Sequence, residues 1–188
     1  MSKFCNRCGQ AKPITAFYGA ERSHCADCEK AQKREYHSTM QAKAKKALRD
    51  SKTVANKVEQ EQGIDVTDNL TLYDVLWVLA DNQCAYCAQE LAEQERTLDH
   101  ITPMRYGGSN TLDNITCACL SCNRLKSDTP VLLHYIQRGC NTEEILSLVE
   151  RMALRQGTTF EQTLSQLNED VKAYFLRRAE KAGEQLTT

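Results

Sequence analysis

The sequence predicts a small, mainly helical α+β protein organised around metal sites rather than one large core. Three observations carry that expectation. Ten cysteines occur in 188 residues, and eight of them fall into Cys-x-x-Cys pairs. Aromatic residues make up only 6% and mean hydropathy is −0.56, too little for a single aromatic core. Outside the pairs, apolar positions recur mostly at helical spacing.

Thiolates separated by two residues form a turn that clasps one edge of a metal ion. No targeting segment is read, so a cytoplasmic, reducing compartment is expected, where thiols stay free to bind zinc. The longest apolar run, near Leu70 to Ala80, is too short to span a bilayer, and no membrane partner is expected. The net charge of −1 and pI near 6.4 hide a strong asymmetry. Lys30 to Lys57 carries nine basic residues against Glu35 and Asp50, while Glu59 to Asp99 carries ten acids against Arg96. A basic block beside an acidic one is a local nucleic-acid footprint.

Residues 1–30 pair Cys5 and Cys8 with Cys25 and Cys28 across sixteen residues, the spacing of a four-cysteine zinc finger. Gly9 frees the turn, Phe17-Tyr18 covers a small core, and His24 is the alternative to Cys25 as ligand. Residues 31–62 lack Gly and Pro up to Glu61 and read as one long basic helix, or a helix frayed in its middle. Its thin stripe is Tyr36, Met40, Ala44, Ala47, Leu48, Val54 and Val58, which marks a connector. Lys43, Lys45, Lys46 and Arg49 on it are expected to meet phosphates.

The third segment is 63–130. Gly63 to Asn69 reads as a linker, and Thr71-x-x-Asp74 as a capping box opening a helix through Ala80. That helix delivers Cys84 and Cys87. Leu98 to Ile101 and Ile115 to Cys117 read as short strands bracketing Gly107-Gly108, and a helix starts near Cys122. Cys119, rather than Cys117, completes the Cys-x-x-Cys spacing with Cys122; Cys117 and Cys140 read as buried small hydrophobes. In 131–188, Asn141-x-x-Glu144 and Thr158-x-x-Glu161 cap helices, the second bearing Phe160, Leu164, Leu167, Val171 and Phe175.

The chemistry concentrates in Asp99-His100-Ile101-Thr102-Pro103, Asn114 and Cys119-Leu120-Ser121-Cys122-Asn123. Adjacent Asp and His offer an oxygen ligand for a hard cation and a base for water, and Asn123 offers a second oxygen. The joint order of these pieces from Thr71 to about Asp128 resembles the HNH endonucleases, with a ββα-metal fold stapled by zinc. That resemblance implies His100 as general base and Asp99 and Asn123 as ligands of a catalytic Mg²⁺ or Mn²⁺. It implies Asn114, ahead of the second strand, as the residue orienting the histidine, with Asn110 as competitor. Asn123 stands where many members have His, a variant also seen in RNA-guided CRISPR nucleases. Arg124 and Lys126, next on the helix, are expected at the phosphate backbone. Zinc is expected on Cys5, Cys8, Cys25 and Cys28 and on Cys84, Cys87, Cys119 and Cys122.

The function expected is a DNA endonuclease of phage or mobile-element type, in the host cytoplasm if phage-encoded. One cation implies one strand cut at a time, so double-strand cleavage would call for a homodimer or sequential nicks. The rival reading is a zinc-dependent DNA-binding module with a vestigial nuclease site. A third is an RNA-directed nuclease, because the chemistry needs no 2′-hydroxyl.

Overall fold

The computed structural model describes residues 1–139 and 141–186; Cys140 lies outside the described residues. The chain divides into two compact units, Met1–Lys43 and Ala44–Thr188. The division falls inside a helix, whereas the sequence placed boundaries near residues 30 and 62.

In the first unit, β1 (Ser2–Phe4) and β2 (Ala11–Pro13) pair antiparallel. Gly9, between them, adopts φ +67°, a conformation L side chains avoid, and its N–H donates to the Cys5 carbonyl at 2.8 Å. α1 (Ala26–Ser38) takes Cys25 as its N-cap residue and holds Cys28 in its first turn. Cys5, Phe17 and Cys25 make the small core, while Tyr18 is exposed.

The basic run is two helices rather than one. α1 stops at Ser38 and α2 (Met40–Gln62) begins two residues later. Thr39 makes the break, with an extended backbone at φ −72°, ψ 146°. Its hydroxyl donates to the Tyr36 carbonyl at 2.7 Å and accepts the Ala42 N–H at 3.2 Å. One side chain therefore closes one helix and opens the next.

In the second unit, α2 buries Ala44, Ser51, Ala55 and Val58, and Val54 faces solvent instead. Ala55 and Val58 join Val66 and Met104 in one core cluster, with Ile64 against it. Residues 63–69 are thus packed rather than a free linker. Asn110 N–H donates to the Thr67 carbonyl at 2.8 Å, and Leu70 N–H donates to the Asn110 carbonyl at 3.1 Å. α3 (Leu72–Leu79) opens with the expected Thr71–Asp74 capping box and buries Val75, Val78 and Leu79.

β3 (Arg96–His100) and β4 (Ile115–Cys119) pair antiparallel, with Asp99 opposite Thr116. α4 (Leu120–Lys126) follows directly, completing a ββα unit. Then come α5 (Val131–Arg138), α6 (Thr142–Gln156) and α7 (Phe160–Leu186). α6 opens on the expected Asn141–Glu144 box. α7 opens one residue later than expected, on reciprocal hydrogen bonds between Thr159 and Gln162.

The face of α7 also differs. It buries Thr163, Leu167, Asp170 and Tyr174, and Phe175 is exposed. Polar residues occupy core positions here because each finds a partner. Thr102 donates its hydroxyl to Asp170, and the Tyr174 ring packs on Tyr106 at 4.7 Å. Arg177 donates to the Arg105 carbonyl at 2.6 Å, and Gln156 on α6 donates to the Asp113 carbonyl at 3.4 Å. The C-terminal helices thereby brace the loop between β3 and β4. No described helix is long and apolar enough to cross a membrane.

Candidate functional site

Two cysteine clusters form. The ligand atoms of Cys5, Cys8, Cys25 and Cys28 all lie within 4.8 Å of one another, and so do those of Cys84, Cys87, Cys119 and Cys122. Sulfurs around one tetrahedral zinc stand about 3.8 Å apart, so either cluster can hold an ion after a small contraction. His24 is in neither cluster, and Cys117 instead directs its thiol at the Asp81 carbonyl, 3.4 Å away.

The second cluster is assembled from two backbone turns. In the first, Ala88 N–H donates to the Cys84 carbonyl at 2.9 Å, and Ala85 N–H ties the turn to the Cys117 carbonyl at 2.9 Å. In the second, Cys119 caps α4 by accepting the Cys122 N–H on its sulfur at 3.3 Å. Arg138 from α5 donates to the Cys122 sulfur at 3.2 Å, placing a positive charge against the cluster.

Asp99 and His100 end β3, and Asn123 faces that strand from α4. Asn123 Nδ2 donates to Thr97 Oγ1 and to the Leu98 carbonyl, both at 3.0 Å. Its amide is thereby fixed, leaving Oδ1 as the available oxygen. Asp99 receives Tyr86 Oη at 2.5 Å and Lys126 Nζ at 3.0 Å, both on Oδ2. Among the described residues no hydrogen bond engages Oδ1 of either side chain. Two oxygens without thiolate or imidazole suit a hard divalent cation.

The hydrogen bonds also assign the tautomer of His100. Asn110 Nδ2 donates to Asp68 Oδ1 at 3.0 Å, and a carboxylate only accepts, so Asn110 Oδ1 must face the other way. It faces His100 Nε2 at 2.9 Å, which therefore carries the hydrogen. Nδ1 keeps its lone pair. Burial holds the ring below the ordinary histidine range, so it is neutral at pH 7 and able to accept a proton.

The two asparagines thus divide the work. Asn110, fully buried, contacts the ring. Asn114 instead grips the segment after it: its carbonyl accepts Ile101 N–H at 2.8 Å, and its side chain brackets Thr102 with bonds of 2.9 and 2.8 Å. Gly108 makes room for this clamp. A Cβ there would sit 1.9 Å from the Thr102 carbonyl oxygen and 2.9 Å from Asn114 Nδ2.

The expected phosphate contacts fare differently. Arg124 is exposed, as expected. Lys126 is not a surface residue: it is 0% exposed, paired with Asp99, and its ammonium also donates to the His100 carbonyl at 2.6 Å. A lysine on a short helix reads as solvated, but this one turns inward because a buried carboxylate awaits it. On α2, Lys45 is exposed and Lys43 half-buried, while Lys46 and Arg49 are drawn to Asp50 at 2.5 and 3.2 Å. The cationic face forms earlier: Lys30, Lys33, Arg34 and His37 line one exposed side of α1, and none is in an ion pair among the described residues. Tyr86, Asp68 and Asp170 carried no signal in the sequence, since each acts through a partner distant in the chain.

Two strands and a helix present Asp, His and Asn beside a four-cysteine cluster, the arrangement of a ββα fold able to hold a metal. Residues 84–130 match the HNH endonuclease family, and this segment is an HNH domain. The chain is similar to the CRISPR-associated endonuclease Cas9 of Corynebacterium diphtheriae, 31% identical over 70 residues, covering 37% of this chain and 6% of that protein. It is similar also to the CRISPR-associated endonuclease Cas9 of Actinomyces naeslundii, 28% identical over 156 residues, covering 81% of this chain and 13% of that protein. The chain therefore spans a small part of the curated relatives it matches. The crystal structure of the Type II-C Cas9 enzyme from Actinomyces naeslundii aligns with 78% of this chain and 16% of its own, at 23% identity and TM-score 0.35.

The Lys126 placement generates a prediction. Lys126→Ala should lower unfolding stability by roughly 3–5 kcal/mol, because it strands the buried Asp99 carboxylate. Denaturant titration checks this; a variant as stable as wild type but weaker on DNA would return Lys126 to a phosphate role.

Proposed function

We propose that the chain is a metal-dependent endonuclease that hydrolyses DNA phosphodiester bonds at Asp99, His100 and Asn123. The observation that carries this reading is the His100 ring, held by Asn110 with Nδ1 free, beside two side chains that each keep one oxygen unengaged. Asp99 and Asn123 would hold Mg²⁺ or Mn²⁺, which when bound polarises the scissile phosphate and stabilises charge on the leaving oxygen. His100 Nδ1 takes a proton from the attacking water. Asn110 and Asn114 keep the ring and the following loop from drifting during that transfer. The two cysteine clusters hold structural zinc, since four thiolates leave no open position for water. Exposed cations on α1, with Arg124, supply backbone contacts, and DNA is the polymer the family resemblance implies. One such site cuts one strand, so double-strand cleavage calls for a second copy or a second nick.

His100→Ala should slow plasmid nicking by roughly 10² to 10⁴-fold without restoring at high Mn²⁺, because metal does not replace a proton acceptor. Asp99→Ala and Asn123→Ala should lose nicking too, but recover part of it as Mn²⁺ rises. Wild-type rates in His100→Ala would remove it from the reaction.

Replacing Lys30, Lys33 and Arg34 together by Gln should flatten the salt dependence of DNA binding by about 0.9 per lost contact. The same change at Lys43, Lys45, Lys46 and Arg49 should flatten it less, because Asp50 already engages two of them. An unchanged slope in the α1 variant would make that face a plain solvated one.

A further inference from the structure

A tyrosine inside the second cysteine turn reaches the Asp99 carboxylate. Tyr86 stands between Cys84 and Cys87, is 1% exposed, and donates its hydroxyl to Asp99 Oδ2 at 2.5 Å. Its ring cannot swing away. It meets His134 edge-on at 5.7 Å and Tyr135 at 6.1 Å, and the Tyr135 hydroxyl bonds the Ala85 carbonyl at 2.8 Å. Lys126 meets the same carboxylate oxygen from α4 at 3.0 Å. Two donors from two elements thus occupy Oδ2 and leave Oδ1.

An aspartate's terminal torsion is intrinsically soft, so a ligand carboxylate holds one orientation only if something ties it. We infer that Tyr86 is a positioning residue for the catalytic cation: it suspends Asp99 from the second cysteine turn so that Oδ1 alone is presented. This rests on the reading of Asp99 as a ligand. It makes the cysteine cluster and the catalytic cation one coupled device. An ion on Cys84 and Cys87 fixes the turn, the turn fixes Tyr86, and Tyr86 fixes the ligand. Partners that orient metal ligands in this way typically contribute 10–100-fold in metal affinity.

The test uses the full zinc-loaded chain and Tyr86→Phe, which keeps the ring and its packing and removes only the hydroxyl. Mn²⁺ binding is followed by electron paramagnetic resonance of the free ion, with Asp99→Ala alongside. Tyr86→Phe should keep wild-type zinc content and bind Mn²⁺ about tenfold more weakly. Its nicking rate should return to near wild type at saturating Mn²⁺, which a damaged fold would not do. Wild-type Mn²⁺ affinity in Tyr86→Phe, with weakened binding in Asp99→Ala, would overturn the positioning role alone. Unchanged affinity in both would overturn the ligand role of Asp99 itself. Should Tyr86→Phe lose zinc, wild-type protein carrying 3-fluorotyrosine decides. Its residue-86 fluorine resonance should move on Mg²⁺ addition, and a stationary resonance would refute the coupling.

Discussion

The ββα motif of the second unit is organised around four sulfurs brought together from two turns. Cys84 and Cys87 precede β3, while Cys119 ends β4 and Cys122 lies in α4. Strands of five residues and a helix of seven bury too little to hold their own register. Joining the turn before β3 to the junction of β4 and α4 restrains both ends of the motif. That restraint sets Asn123 on α4 against the end of β3, where Asp99 and His100 stand. An ion bound by these four sulfurs would add its binding energy to folding.

Around that staple the unit uses polar contacts where a larger protein would use apolar ones. Asp68, Asn110, Asn114, Thr102, Asp170 and Lys126 meet one another or backbone groups within hydrogen-bond distance. A buried polar group is tolerable only when its partners are in place, so such a network enforces one arrangement of the loop after His100. The same property makes it a poor place for substitution. Gly108, pressed against the Thr102 carbonyl, illustrates how little slack remains.

Much of this was legible because the signals are local. Cysteine pairs two residues apart, Asp beside His, and the capping boxes at Thr71 and Asn141 are each complete within a few residues. Most of what stayed hidden depends on partners far along the chain, the break at Thr39 being the local exception. Thr39 breaks the basic helix through hydrogen bonds of its own hydroxyl, which composition alone cannot weigh against a helical run. Lys126 looks like a surface lysine until Asp99, 27 positions earlier, is known to be buried beside it. Asp170 and Thr163 sit on the inner face of α7, so counting apolar residues turned that face toward Phe175. The family order favoured Asn114 over Asn110 as the residue orienting the histidine; both lie in one loop, and only their contacts show that Asn110 meets the ring while Asn114 holds Thr102.

The dependence of the ββα motif on its cysteine cluster is tested most directly by hydrogen exchange with zinc bound and after chelation, zinc being counted by elemental analysis. The native chain should hold about two ions, and their removal should erase protection across β3, β4 and α4 together. Protection that survived complete loss of zinc would show that the fold stands without the staple.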